Sequence, residues 1–334
     1  MSVDKFDLIN EAFSGAGFAA DVPVSVWKHF PNDDRTPEGL AQKELEFQQR
    51  FDPDLKKISF HGRYCCVDFG CKVYYDGSLS GSTNCKEHAI AFIEDWETLE
   101  PVDVNDGEFG DQVKAVELLN KELEDVVPMM ATVFAPIMVA DKLTDNLIAH
   151  PRRSPEVIEE VLKILEGIMA EFSRACLDAG AKGIFYASQH LNRGDPKRAL
   201  TDEEFKRFSL QPDIALLKNI QNRANFVVMH LHGHNIRFKE VTEVYPIDGA
   251  NWHDQQTYPS LEEARDIFSG ALLGGIDENG SLRKDSAEAI EEKLDSTLNA
   301  FGQGRLIVAP GCVIPQDVLD ENIEAAVKAI RKFR

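Results

Sequence analysis

Residues Ala224 to Asn235 read Ala-Asn-Phe-Val-Val-Met-His-Leu-His-Gly-His-Asn. The stretch begins as an apolar, β-branched run of strand length and turns abruptly into three histidines spaced by two. Side chains at i and i+2 of a strand share a face, so His230 and His232 should point the same way at the strand's C-terminal end. That end of a strand is where α/β enzymes carry their chemistry.

The totals set the bounds. With 334 residues and 43% hydrophobic content, the chain can bury one large core. A formal net charge of -21 excludes nucleic-acid backbones and anionic membrane surfaces as expected partners, because the long-range field repels them. The N-terminus has no basic segment leading into an apolar one, and no apolar run is long enough to span a membrane, so a cytoplasmic location is expected. Six cysteines are too few for a disulfide scaffold. Cys65, Cys66, Cys71 and Cys85 fall close together, but their spacing matches no zinc pattern and reads as reduced thiols partly in the core.

Outward from residues 224–235, strands and helices alternate. Strands are predicted at Val24–Phe30, Leu55–Tyr64, Met129–Val139, Gly183–Ala187, Pro246–Trp252, Ala271–Asp277 and Gly304–Ala309. Helices are predicted at Phe6–Phe18, Gly39–Phe51, Lys114–Val127, within Pro151–Gly180, from the capping box at Thr201–Glu204, after Ser260, at Ser286–Phe301 and at Asp320–Phe333. With the opening stretch this makes eight strand–helix pairs, the pattern of a (β/α)8 TIM barrel in one domain spanning 1–334. Residues 1–20 form an N-terminal helical segment acting as lid or plug, and 64–90 a long inserted loop of the kind that covers a site. A doubly wound open sheet is the alternative. No Gly-x-Gly-x-x-Gly turn follows any strand, so NAD is not expected, nor is PLP.

Polar groups gather where a catalytic barrel needs them. All of the nine histidines except His88 and His150 lie at or just after a predicted strand end. His230 and His232 are candidate metal ligands, with Cys312 after the last strand completing a His2Cys set that leaves a fourth position open. Around them, His253, Asp277 and, in the long insertion, Asp68 are candidate catalytic groups, and Lys28, His29, Arg63, Tyr186, Gln189, His190 and His234 are candidate substrate-binding groups. Each has a plainer reading: satisfied hydrogen-bonding histidines, a buried thiol at Cys312, a helix cap at Asp277, a solvated or capping role for Asp68.

Pro310-Gly311-Cys312-Val313-Ile314-Pro315, with Glu321-Asn322-Ile323 behind it and Leu273-Gly274-Gly275-Ile276-Asp277 and His230-Leu231-His232-Gly233 before it, resembles the uroporphyrinogen decarboxylase superfamily. The resemblance covers most of the chain and implies a (β/α)8 barrel. It implies one of two activities: cofactor-free decarboxylation of a tetrapyrrole, or zinc-dependent methyl transfer between corrinoid proteins and thiols. Against the decarboxylases, Trp27-Lys28-His29-Phe30-Pro31 stands where an arginine motif is expected. Lys142 stands near the place of a tyrosine, and Cys312 replaces a histidine. Asp68 is the nearest counterpart of their essential aspartate. Against the methyltransferases, whose pattern is His-x-Cys plus a later Cys, His230 and Cys312 match while His232 replaces a cysteine, which makes a bound zinc more Lewis acidic. The resemblance therefore implies Zn2+ on His230, His232 and Cys312 and metal-assisted methyl transfer, with a corrinoid supplied by a partner protein. Uroporphyrinogen decarboxylation, or non-catalytic binding of a tetrapyrrole or corrinoid protein, is the alternative.

Overall fold

The structure is a computed structural model describing residues 4–14, 21–301 and 304–332. Its main sheet is parallel throughout, with seven strands in the order β1 (Lys56–Ile58), β4 (Met129–Phe134), β5 (Gly183–Ser188), β6 (Phe226–Leu231), β7 (Gly249–Trp252), β8 (Ala271–Ile276) and β9 (Leu306–Pro310). Two short strands, β2 (Lys72–Tyr74) and β3 (Asn84–Glu87), form a separate antiparallel hairpin inside the long insertion.

The first predicted strand closes the curled sheet as a single bridge. Val24 pairs in parallel with Val308 of β9, Ser25 N–H donates to Val308 O at 2.9 Å, and Asp54 N–H, just before β1, donates to Val24 O at 2.7 Å. Side chains take over the rest of the ladder: Asp54 Oδ2 accepts from Val24 N–H at 2.9 Å and Ser25 Oγ donates to Leu55 O at 2.8 Å. Pro23 has no N–H to give, which limits this stave to a bridge. The result is the expected TIM-barrel fold.

Two predicted strands end early. Met129–Val139 is strand only to Phe134, because Pro136 occupies the first turn of a helix, Pro136–Leu143, where its fixed φ and missing N–H cost nothing. Leu55–Tyr64 is strand only over Lys56–Ile58, and Tyr64–Val67 is a helical turn. The helix Pro155–Asp178 presents Ile158, Val161, Leu162, Leu165, Ile168 and Met169 on its buried side, the spacing a core-facing helix requires. It stops at Gly180, whose φ of +120° is open to glycine and whose missing Cβ leaves room for the Asn120 side chain. The predicted capping box forms between Thr201 and Glu204, and the helix predicted after Ser260 opens with a second one between Ser260 and Glu263.

The barrel interior obeys strand alternation. Ile9, Ala12, Trp27, Leu55, Met130, Phe185, Phe226, Val228, Ala271, Leu273, Ile307 and Ala309 make one buried cluster. The N-terminal helix Lys5–Ser14 supplies its floor: Phe13 stacks on Phe226, ring centroids 4.4 Å apart, and touches Gly249, both at strand starts. This helix plugs the end opposite the strand C-termini, so it does not cover the site there. The part of the expected helix beyond Ser14, up to Phe18, lies outside the described residues. No described helix is long and apolar enough to cross a membrane.

Candidate metal centre and cavity

Where β6, β7 and β9 end, four side chains converge. Ligand atoms of His232, His253 and Cys312 all lie within 4.8 Å of one another, and His230 Nε2 is 3.9 Å from Cys312 Sγ. The group that could share one ion therefore differs from the set expected from sequence: His253 stands with His232 and Cys312, and His230 is placed by its contact with the sulfur. His253 comes from the loop after β7, and its ring centroid is 5.0 Å from that of His232.

Neighbouring groups aim these rings. The Asn251 amide nitrogen donates to Leu273 O at 2.9 Å and Pro310 O at 3.0 Å, leaving its carbonyl oxygen to accept from His230 Nδ1 at 2.6 Å. This contact fixes the ring and turns Nε2 toward the Cys312 sulfur. Glu278 Oε1 holds His253 Nδ1 at 3.1 Å, while its other oxygen accepts from Gly311 N–H at 3.0 Å, one residue before Cys312. Carboxylate and amide partners of this kind orient metal-binding histidines.

The electrostatics follow the geometry. Burial alone would raise the Cys312 thiol, but hydrogen bonds with His230, His232 and His253 outweigh it and hold the group well below its usual range. Burial likewise works against charge on His253, yet Cys312 and Glu278 raise it to about 10. Burial lowers His230, with Cys312 opposing.

A cavity of about 240 Å³ opens beside this cluster. Trp27, Phe60, Phe134, Met138 and Phe185 give it an apolar wall, and His29, Lys57, Lys142, Ser188 and Gln189 add polar groups. Ser80 and Ser82, between β2 and β3, line part of it. His29 is buried, and burial followed by the Lys57 charge lowers it to about 3.

Other residues singled out from sequence lie elsewhere. Lys28 borders a groove beside Asp320 on the opposite face from Trp27 and His29. Tyr186, between the inward Phe185 and Ala187, points to the helices and donates to Asp213 Oδ1 at 2.6 Å. His190 Nδ1 meets Arg198 O at 3.1 Å, and Arg63 donates to Lys142 O at 3.2 Å; neither lines the cavity. His234 is exposed at the rim, its ring centroid 6.3 Å from that of His253. Asp277 accepts from Gly280 N–H at 2.9 Å and pairs with Lys293 at 3.5 Å, a turn-capping role. Asp68 accepts from the N–H groups of Glu108 and Phe109 at 2.8 and 3.0 Å, capping the helix Gly107–Leu123. A carboxylate committed to two backbone donors outside the barrel is not at hand for catalysis. Sequence reasoning missed Glu278, Asn251 and Lys57. Inward strand parity could have revealed the last two.

Fold and site together define an α/β-barrel protein with a histidine–cysteine centre at the strand C-termini. Residues 25–333 match the family Uroporphyrinogen decarboxylase (URO-D), and the chain belongs to that family of enzymes. Uroporphyrinogen decarboxylase of Sinorhizobium fredii (strain NBRC 101917 / NGR234) is 24% identical over 232 residues, 65% of this chain and 63% of that protein. Its counterpart in Brucella anthropi is 25% identical over 236 residues, covering 65% and 64%. Each match thus spans less than two thirds of the relative's length. Among solved structures, a methyltransferase from Methanosarcina mazei superposes with a TM-score of 0.83 over 99% of both chains at 17% identity. A B12-independent methionine synthase from Shewanella sp. W3-18-1 gives 0.56 over 94% of this chain and 97% of that one, at 14% identity. At these identities the likeness is one of fold.

Proposed function

We propose that this chain is a metal-assisted methyltransferase of the uroporphyrinogen decarboxylase family, with zinc held by His232, His253 and Cys312 and with His230 as a further donor at the same sulfur. The observation that carries it is the convergence of one low-lying thiol with three imidazoles, two of them aimed by Asn251 and Glu278. Fit to zinc is supported by the chemistry of this set. The Cys312 sulfur and His230 Nε2 face each other at 3.9 Å, a sulfur and an imidazole nitrogen of the kinds zinc binds. A bound zinc would supply Lewis acidity and stabilise the anionic form of a group attached to it.

The chain's own residues do the rest. Asn251 and Glu278 hold two imidazoles in one orientation. Trp27, Phe134 and Phe185 give the cavity apolar walls, and Ser80 and Ser82 between β2 and β3 line part of it. At about 240 Å³ the space falls below the roughly 300–1,000 Å³ of pockets that enclose drug-sized ligands. A tetrapyrrole macrocycle is therefore not enclosed. A small acceptor fits, with the methyl group presented from outside by a corrinoid on a partner protein.

Cofactor-free decarboxylation is the second reading, favoured by two lysines on the cavity wall and by the names of the curated relatives. Against it, no arginine lines the cavity among the described residues, and Asp68 is a helix cap. The test is incubation of the zinc-loaded chain with methylcobalamin and a panel of small thiols, beside a parallel incubation with uroporphyrinogen. Thiol-dependent demethylation of the corrinoid, lost on chelation, is expected; stepwise carboxyl loss from uroporphyrinogen with no demethylation overturns the proposal.

A further inference from the structure

The backbone ladder between β7 and β8 stops at Asn251 and Leu273, before it reaches His253. Beyond that point a side chain takes over. Asp254, 6% exposed, accepts from Gly275 N–H through Oδ2 at 3.0 Å and so ties the loop after β7 to the end of β8. Gln255 donates to the same oxygen at 2.7 Å, while Oδ1 has no partner on another described residue. The His253 carbonyl closes the loop from the other side, accepting from Gln256 N–H at 2.8 Å and Thr257 N–H at 2.9 Å.

Glycines make the room for this arrangement. A Cβ on Gly274 would stand 2.8 Å from Asp254 Oδ1, and a Cβ on Gly311 would stand 2.8 Å from both His253 Cα and Trp252 O. Both approaches are well inside an ordinary van der Waals contact of roughly 3.5 Å. Gly275 holds a φ of +99°, open to glycine, at the point where its N–H meets the carboxylate. His253 therefore lies in a slot between the ends of β8 and β9. The carboxylate of the next residue holds it to one side, and its own backbone rests against the other.

A buried carboxylate with one oxygen unpaired is a cost to folding. Nor does it shape the cavity, which neither Asp254 nor Gly275 lines. What the tie fixes is the backbone that carries His253, and a metal donor must sit within about 0.2 Å of its proper distance.

We propose that Asp254 is a positioning residue of the metal centre, acting through His253, with Gly274 and Gly311 as the clearances its action requires. The inference rests on reading His232, His253 and Cys312 as the donors of one ion. Glu278 aims the His253 ring, and Asp254 sets where that ring starts from.

The test is the zinc affinity of the full chain, read by competition with a chromophoric chelator, beside the visible spectrum of the cobalt(II)-substituted chain, which reports the number and kind of ligands. Asp254→Ala should weaken zinc by roughly tenfold to a hundredfold, the span for losing support behind a ligand, and should alter the cobalt spectrum. Asp254→Asn, which keeps an acceptor oxygen for Gly275 N–H, should retain most of the affinity. In a His253→Gln background, Asp254→Ala should cost nothing further, because its effect runs through that ring. Thermal unfolding of the metal-free variants checks folding. If Asp254→Ala fails to fold, Gly274→Ala, whose methyl group displaces the carboxylate, carries the test. Affinity unchanged in both variants with only thermal stability lowered, or the same loss with and without His253, overturns the inference while leaving the metal proposal standing. A wild-type chain that binds neither zinc nor cobalt overturns the metal reading, and this inference with it.

Discussion

Cys312 and the cysteines of residues 65–85 are the same side chain in opposite surroundings. Cys312 sits among three imidazoles, and their hydrogen bonds overcome burial and favour the thiolate. Cys65 is pushed up to about 12 by burial, and Cys85 up to about 11 by burial and then Cys71. Cys71 is raised too, first by its contact with Cys66 and then by burial. The crowded cysteines are packing groups, and the solitary one is equipped for chemistry. Donors around a sulfur decide its role, and its number of cysteine neighbours does not.

The largest expected effect tests that contrast outright. Cys312→Ser should reduce bound zinc from about one per chain to none detectable by elemental analysis, whereas Cys85→Ser should leave it unchanged. A metal content indifferent to both substitutions would erase the distinction. Next comes the support behind the ligands. Glu278→Gln keeps the shape but weakens the hold on His253, and should cost roughly tenfold to a hundredfold in zinc affinity, read by competition with a chromophoric chelator.

Proton linkage sharpens the same comparison in the metal-free chain. His253, raised from 6.5 to about 10, contributes stability that is complete below about pH 6.5 and lost as pH rises through about 10. Cys312, lowered from 9.0, contributes stability that is complete above 9.0 and lost as pH falls. Between 6.5 and 9.0 the two trends offset, so stability from this pair should fall on the alkaline side above about pH 9. Urea unfolding of chelator-treated protein should show that decline and His253→Gln should flatten it; equal slopes would contradict the thiolate–imidazolium pair. The smallest effect belongs to Asp68. Asp68→Ala should cost about 1 kcal/mol of stability through its lost capping bonds, visible in denaturant midpoints, with methyl transfer unchanged.

Much of this was legible in the sequence because strand periodicity is strict. It located every stave of the barrel and placed His230 and Cys312 at one rim. The same alternation also sets Lys28 behind Trp27 and His29, and Tyr186 behind Phe185, so those two polar side chains lie on the wrong face for the cavity. What the sequence could not display was contact between distant loops. His253 becomes a donor only because Glu278, 25 residues on, turns its ring. Lys57 looks like an ordinary surface lysine until strand alternation is applied, which sets Lys56 outward beside Glu44 and Lys57 inward toward the cavity. The first strand is a bridge whose neighbouring bonds come from the Asp54 and Ser25 side chains, which no propensity scale counts.

The central claim is that one cysteine and a set of imidazoles at the barrel rim bind zinc. X-ray absorption at the zinc edge of the loaded chain tests it most directly. The account predicts a single sulfur scatterer near 2.3 Å with nitrogen scatterers near 2.0–2.1 Å, the sulfur vanishing in Cys312→Ser. A shell of oxygen and nitrogen with no sulfur, or a chain that retains no zinc at all, would contradict it.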